Sequence, residues 1–176
     1  MTASRTEHAA SRTRRLVVMR HAKAEASAAS DSARDLTDRG RRQSRDVGAR
    51  MADSGVVPEL VLVSSAVRAR STCREVLARI GTGLEIEVQV LGSLYDADAA
   101  DVLATCASEV PAETVTVLVI GHNPTIAETA ELLQPDHDRV ELSFPTAAYA
   151  AFSVEGAWAD LAPGTGTLLD SYAPQV

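Results

Sequence analysis

The chain has 176 residues, enough for one domain to bury an adequate core without disulfides or metal ions. Its net charge of -7 argues against the basic surface with which nucleic-acid-binding proteins neutralise phosphates, so we predict no nucleic-acid partner. Aromatic residues make up only 3% of the chain, and the mainly aliphatic apolar content is typical of helices packed on a buried parallel sheet.

The first residues are polar and charged. Arg14 and Arg15 are followed by only four apolar residues before Arg20, whereas a secretory signal needs about 7–15. No later run approaches the ~20 apolar residues of a membrane span, so we predict no membrane partner. We therefore predict a flexible tail over residues 1–13, a single domain over residues 14–176 and a cytoplasmic location.

Apolar runs bounded by turn residues alternate with helical patterns along the chain. Thr37 is the predicted N-cap of the first helix, Gly55 its stop, and Pro124 suits the first position of the fourth helix. The pattern predicts a three-layer α/β/α fold with a mainly parallel central sheet. In chain order we predict a strand at 16–19, a helix at 37–54, a strand at 60–63, a helix at 66–80, a strand at 86–90, a helix at 97–110, a strand at 115–120, a helix from 124, and two final strands at 149–154 and 167–172.

The first four predicted strands are short apolar runs of the kind that is buried on both faces of a sheet.

Cys73 and Cys106 lie among apolar residues of predicted helices. This placement favours buried reduced thiols over a disulfide or a metal pair. A reducing compartment follows from it.

Polar and cationic residues come directly after three of the predicted strands. Arg20, His21 and Lys23 follow the first, Arg68 comes shortly after the second, and His122 and Asn123 follow the fourth. Ligands of open α/β sheets bind beyond the carboxyl ends of the strands. We therefore expect two histidines and two arginines to meet in one crevice.

These residue types suit a phosphoryl group. Guanidinium groups pair with its oxygens, and the helix beginning after Asn123 adds backbone donors. A neutral imidazole of His21 can attack phosphorus if neighbouring arginines disfavour its protonated form and a backbone carbonyl orients its second nitrogen.

Each residue also has a structural explanation when it is taken alone. An arginine-histidine pair at a strand end is usually incidental. Arg68 could be a solvated residue of a first helical turn or a partner of Glu75, and His122 a turn residue bonded to backbone. Lys23 is equally a solvated surface residue. Only their joint placement after separate strands favours a site.

The motifs resemble those of the histidine phosphatase superfamily, which includes the phosphoglycerate mutases. The resemblance is strongest to the small SixA-like branch of phosphohistidine phosphatases and extends from about residue 16 to the C-terminus. Four segments carry it in order: Leu-Val-Val-Met-Arg-His at 16–21, Arg-Asp-Leu-Thr-Asp-Arg-Gly at 34–40, Val-Ser-Ser-Ala-Val-Arg-Ala at 63–69 and Gly-His-Asn-Pro at 121–124.

By this resemblance His21 is the nucleophile that is transiently phosphorylated, and Arg20, Arg68 and His122 hold the phosphoryl oxygens. Arg34 matches an arginine that contacts phosphate or substrate; an ion pair with Asp31 or Asp35 is the alternative.

Larger members of the family use a glutamate as general acid in a loop where this chain has Asp96. Asp96 is therefore a candidate acid, although either Asp96 or Asp98 also suits the N-cap of the following helix. His137, with Asp136 and Asp138, offers too thin a ligand set to predict a metal site.

The resemblance implies a phosphoglycerate-mutase-like fold and a phosphatase that works through a covalent phosphohistidine without a metal or other cofactor. The predicted substrate is a phosphohistidine on a protein. A small phosphate ester cleaved by the same mechanism and a non-catalytic phosphate-binding module are the alternatives. A mutase needs further segments to shield its phosphoenzyme from water, and the chain looks too short for them.

Overall fold

The computed structural model of the protein describes residues 13–81, 83 and 85–174. Of the predicted flexible tail, residues 1–12 lie outside the described residues. The described chain forms six strands and four α-helices: β1 (Arg14–Arg20), α1 (Asp38–Asp53), β2 (Leu60–Ser64), α2 (Val67–Ile80), β3 (Glu87–Leu91), α3 (Ala99–Glu109), β4 (Thr116–Gly121), α4 (Thr125–Leu133), β5 (Tyr149–Val154) and β6 (Gly166–Tyr172).

The six strands form one sheet in the order β3-β2-β4-β1-β5-β6. The first four are mutually parallel, and β5 and β6 add an antiparallel hairpin at one side. Helices α1 and α2 pack on one face and α3 and α4 on the other. The three-layer, mainly parallel α/β fold is therefore confirmed.

Strand β1 shows why the sheet is covered on both sides. Leu16 and Val18 pack with the apolar residues of α3 and α4, while Val17 and Met19 pack with those of α1 and α2. All four side chains are fully buried. Alternate residues of a strand point to opposite faces, so an uninterrupted apolar run joins two separate cores.

Strand β3 differs from the prediction. It lies at the edge of the sheet, and Val88 and Val90 are 42% and 52% exposed. The prediction of burial on both faces is wrong here, because an edge strand has a neighbour on one side only and the helices cover the centre of the sheet.

The predicted caps are largely observed. Thr37 accepts a hydrogen bond from the Gly40 amide at 3.0 Å and caps α1. Asp98 exchanges capping bonds with Asp101 at the start of α3, which assigns the N-cap to Asp98 rather than Asp96. Pro124 is the N-cap of α4, one residue before the position predicted for it.

The first turn of α1 lies against the segment that follows β1. The amide of Thr37 donates to the Lys23 carbonyl at 3.0 Å, and a Cβ built at Gly40 would clash with that same carbonyl. Only glycine allows this approach. The contact fixes the backbone two residues after His21.

The opposite end of the sheet is closed by Trp158, in a short 3-10 turn between β5 and β6. The indole is 1% exposed, and its Nε1 donates to the Thr114 carbonyl at 2.8 Å, just before β4 begins.

Cys73 and Cys106 are buried free thiols, as predicted, and burial raises the pKa of both to about 12. None of the described helices is long and apolar enough to cross a membrane.

Candidate active site

The carboxyl ends of β1, β2 and β4 meet at one cleft. His21 follows β1, Arg68 lies in the first turn of α2 after β2, and His122 follows β4. The cleft has a volume of about 260 Å³, and its lining combines both histidines with three arginines. It is lined by Arg20, His21, Lys23, Ala24, Arg34, Arg68, His122, Asn123 and Thr146.

The backbone of His21 is held by its neighbours on both sides. Its amide donates to the Gly121 carbonyl at 3.0 Å, continuing the parallel pairing of β1 with β4. Its carbonyl accepts from the amide of Ala147 at 3.1 Å. Ala147 is buried and has a φ of 66°, a left-handed conformation that is uncommon outside glycine, asparagine and aspartate.

Hydrogen bonds define the tautomer of the His21 imidazole. Its Nδ1 lies 2.8 Å from the Ala22 carbonyl, which can only accept, so Nδ1 carries the proton. The lone pair is then on Nε2, where it accepts a bond from Nε of Arg68 at 3.3 Å. A backbone carbonyl therefore orients the second nitrogen, as predicted from the sequence.

His21 is neutral at ordinary pH. Its residue is 9% exposed, and burial, with smaller contributions from His122, Arg68 and Arg20, lowers its pKa to about 3. Desolvation, rather than the predicted charge of neighbouring arginines, is therefore the main cause of the lowered pKa.

His122 lies beside His21, with ring centroids 5.1 Å apart. Its Nε2 is 2.8 Å from Oγ of Ser64, the last residue of β2, and its buried Nδ1 has no hydrogen-bond partner among the described residues. Burial, followed by the charge of Arg68, lowers the pKa of His122 to about 4. The contact of Ser64 with His122 was not predicted from the sequence.

Arg68 is 6% exposed and is not the solvated residue that the alternative explanation required. Its Nη1 donates to the Asp31 carbonyl at 2.7 Å and its Nη2 to the Asp31 carboxylate at 3.0 Å. Glu75, the other suggested partner, instead accepts from Nε of Arg45 at 2.7 Å and lies 3.6 Å from Arg41.

Arg20 and Asn123 share one acceptor. Nη1 of Arg20 and Nδ2 of Asn123 donate to the carbonyl of Phe144 at 3.0 and 3.1 Å. Nε of Arg20 is buried without a partner among the described residues, and burial lowers the pKa of this guanidinium. The loop before β5 thus positions two residues of the cleft.

Asp31 links three side chains around the cleft. One of its carboxylate oxygens accepts from Nε and Nη2 of Arg34 at 2.9 and 2.6 Å, and the other accepts from the hydroxyl of Tyr95 at 2.6 Å. The Arg34–Asp31 ion pair considered from sequence is therefore present. Hydrogen bonds from Tyr95, Arg34 and Arg68 hold the pKa of Asp31 well below its usual range.

Asp31 and Tyr95 were not recognised as site residues from sequence. Both lie at short 3-10 turns, whose side-chain directions no periodic pattern specifies. The Arg68 guanidinium lies 5.9 Å from the Tyr95 ring centre, and the Tyr95 ring meets His122 edge-on at 5.6 Å. Tyr95 therefore contacts both sides of the cleft.

The remaining predicted residues, Lys23 and Asp96, are both exposed. Lys23 lines the cleft and Asp96 does not, although the negative charge of Asp96 acts to raise the pKa of His122. Among the residues that the structure describes, no group of three or more His, Cys, Asp or Glu side chains is arranged to hold a metal ion. The positive charge of the cleft lining comes from its three arginines and Lys23.

A larger cavity, of about 510 Å³, flanks the cleft. It lies between α4 and the segment 139–142, and it includes Pro124, the neighbour of the cleft residue Asn123. Its lining has three glutamates, one arginine (Arg139) and no histidine. The smaller cleft is the one equipped to bind a phosphoryl group.

A family model for the histidine phosphatase superfamily (branch 1) matches residues 16–101. An uncharacterized protein of Mycobacterium tuberculosis is 31% identical over 165 residues, which cover 89% of this chain and 100% of the relative.

Two solved structures share the fold across most of their length. A protein of Nakamurella multipartitia, provisionally described as the phosphohistidine phosphatase SixA, is 33% identical with a TM-score of 0.79, covering 93% of this chain and 98% of its own. The protein histidine phosphatase SixA complexed with tungstate is 30% identical with a TM-score of 0.76, covering 89% and 95%.

Proposed function

The chain belongs to the histidine phosphatase superfamily, in its SixA-like branch, and from this premise we propose that it removes phosphoryl groups from phosphorylated histidine side chains of a partner protein. One observation carries the proposal. The neutral imidazole of His21 keeps a lone pair on Nε2, inside a cleft whose charged side chains are mainly arginines.

In the first step, Nε2 of His21 attacks phosphorus and the bond from phosphorus to the substrate nitrogen breaks. The departing imidazole takes a proton, and the phosphoryl group stays on His21. In the second step, water attacks phosphorus, the bond to Nε2 breaks, and inorganic phosphate leaves. Phosphoryl transfer of this kind depends mainly on positioning and charge stabilisation.

Arg20, Arg68 and His122 are the proposed contacts of the phosphoryl oxygens, with Arg34 and Asn123 as further substrate contacts. Arg68 already touches Nε2, so it lies where the transferred group must pass. Because guanidinium groups supply the positive charge, the proposed reaction uses no metal ion. Activity should persist in excess EDTA, and a requirement for added metal would contradict this mechanism.

Asp96 is the proposed proton donor, although it is exposed and does not line the cleft. A phosphoramidate nitrogen accepts a proton more readily than an ester oxygen does, so a weak acid is sufficient for a phosphohistidine. The architecture also supports a protein substrate, because the described residues between β2 and β4, which exclude 82 and 84, form only α2, β3, α3 and a 3-10 turn. None of these elements is an inserted helical lid.

The test compares kcat/KM for a phosphohistidine-bearing protein with that for sugar phosphates, nucleotides and phosphoserine peptides. We expect the phosphohistidine protein to be preferred and His21 to acquire an acid-labile label. A wide preference for an alkyl phosphate would replace this proposal with a small-molecule phosphomonoesterase. Tight phosphate binding without turnover would indicate a binding module.

A further inference from the structure

The carboxylate of Asp31 accepts hydrogen bonds from two arginines of the cleft. It accepts two bonds from Arg34, at 2.9 and 2.6 Å, and one from Nη2 of Arg68 at 3.0 Å. Carboxylate and phosphoryl oxygens seek the same guanidinium donors. Asp31 therefore uses donors that a bound phosphoryl group would need.

Arg68 connects this carboxylate to the reactive nitrogen. Its Nη1 and Nη2 both contact Asp31, while its Nε contacts the lone pair of His21. A phosphoryl group that reaches Nε2 must take over the bond from Arg68 there. Arg68 is therefore expected to exchange partners when a phosphoryl group binds.

Exposure indicates which partner of the ion pair moves. The side chain of Asp31 is 54% exposed, whereas that of Arg68 is 7% exposed. An exposed carboxylate regains water when it leaves, whereas the buried guanidinium would lose its contacts. Asp31 is thus the partner that yields, and Arg68 stays in the cleft.

We propose that Asp31 is an internal anion that competes with phosphoryl groups for Arg68 and Arg34 and selects for phosphoryl groups carried by a protein. The proposal rests on the proposed function, since it concerns substrate choice at the same cleft. A small phosphate has little beyond its phosphoryl oxygens to offset displacement of Asp31. A protein-borne group adds contacts outside the cleft. The same competition favours release of inorganic phosphate.

The decisive variant is Asp31→Asn, which removes the charge and keeps the shape. Isothermal titration of the full chain with tungstate, an oxyanion that is not hydrolysed, measures binding directly. We expect the variant to bind tungstate about three- to tenfold more tightly, an effect that corresponds to the worth of a partly exposed ion pair. Inorganic phosphate should become a correspondingly stronger competitive inhibitor.

Asp35→Asn is the matched control. Asp35 lies in the same loop but pairs with Arg41, at 2.8 Å, rather than with Arg34 or Arg68. Its substitution should leave the tungstate affinity unchanged. Circular dichroism and the thermal midpoint verify folding, and Asp31→Ser gives the same comparison if the asparagine variant does not fold.

Substrate choice provides the second measurement. The ratio of kcat/KM for p-nitrophenyl phosphate to that for a phosphohistidine protein should rise in Asp31→Asn. Unchanged or weaker tungstate binding would overturn the proposal and leave Asp31 as a residue that only positions Arg68. Because tungstate binding needs no turnover, an inactive wild-type enzyme would refute the proposed function without deciding whether Asp31 competes for the arginines.

Discussion

At the scale of single residues, a backbone carbonyl sets the tautomer of His21 and burial keeps the imidazole neutral. The Ala22 carbonyl fixes the proton on Nδ1, and desolvation keeps a second proton off Nε2. Thr72 holds Ala22 in turn, by accepting from its amide at 3.0 Å. The reactive lone pair is therefore a product of local backbone geometry as well as of neighbouring charge.

His21→Ala should abolish turnover and leave the fold intact. The variant lacks the only group proposed to form a covalent bond with phosphorus, and His21 lies beyond the end of β1 rather than in either core. Initial rates and circular dichroism check the two parts. The same substitution at the exposed His137 is the control and should keep the wild-type rate.

Arg68→Ala should reduce kcat more than Arg34→Ala. Arg68 contacts Nε2 of His21, whereas Arg34 contacts Asp31 and the Glu25 carbonyl. Loss of one preorganised donor at the reacting group typically costs ~10²–10³ in kcat. Steady-state kinetics of both variants measure the order, and the reverse order would mean that the roles of the two arginines are exchanged.

Mild acid should destabilise the protein through its two buried neutral histidines. The fold lowers the pKa of His122 to about 4 and that of His21 to about 3, from a usual 6.5. Between about pH 6.5 and about pH 4 the unfolded chain therefore binds protons that the folded chain does not. The free energy of unfolding therefore decreases as the pH is lowered through this window, by up to about 1.4 kcal/mol per pH unit for each histidine.

Urea unfolding at pH 7, 6 and 5 measures this dependence. His21→Ala should flatten it, because one of the two buried neutral imidazoles is then absent. A slope identical to that of the wild type would show that His21 does not contribute.

At the scale of elements, the contact between α1 and the segment after β1 joins the fold to the site. Gly40→Ala should destabilise the protein by about 1–3 kcal/mol and lower its activity, because the new methyl group collides with the Lys23 carbonyl. This loss would appear despite the better helix propensity of alanine. Gly92→Ala is the control, since a Cβ there has nothing within 4 Å.

Chemical denaturation and initial rates measure both variants. Equal stability and activity of the two would show that the segment after β1 moves freely, contrary to the close packing described above.

Periodicity predicted the elements well because their cores are strongly patterned. The buried run at β1 and the N-cap at Thr37 gave both the element and its position to within a few residues. The exposure of β3 was missed because strand order, which places it at an edge, is not encoded in local pattern.

The residues of the candidate site likewise fall into two groups, those that could be predicted from the sequence and those that could not. Residues that directly follow strands, such as His21 and His122, could be placed together from topology alone. Asp31 and Tyr95 reach the cleft through short turns, and the Phe144 carbonyl through a loop. Their positions depend on tertiary packing, which leaves no spacing signal in the sequence.

At the scale of the whole molecule, the parallel strands hold the cleft and the buried Trp158 at opposite ends of the sheet. Their carboxyl ends form the cleft, and the opposite end is closed by Trp158 against the Thr114 carbonyl. A strand of the length of β4 spans about 20 Å. Ligand binding in the cleft therefore takes place about one strand length away from the Trp158 indole.

This separation makes Trp158 a built-in spectroscopic reporter, since it is the only tryptophan of the chain. Its buried indole should emit at short wavelength in the folded protein and shift to longer wavelength only when the sheet opens. Adding tungstate should leave the emission maximum unchanged, while urea should shift it together with the circular dichroism signal. Ligand binding and unfolding can thus be followed in one cuvette without a label.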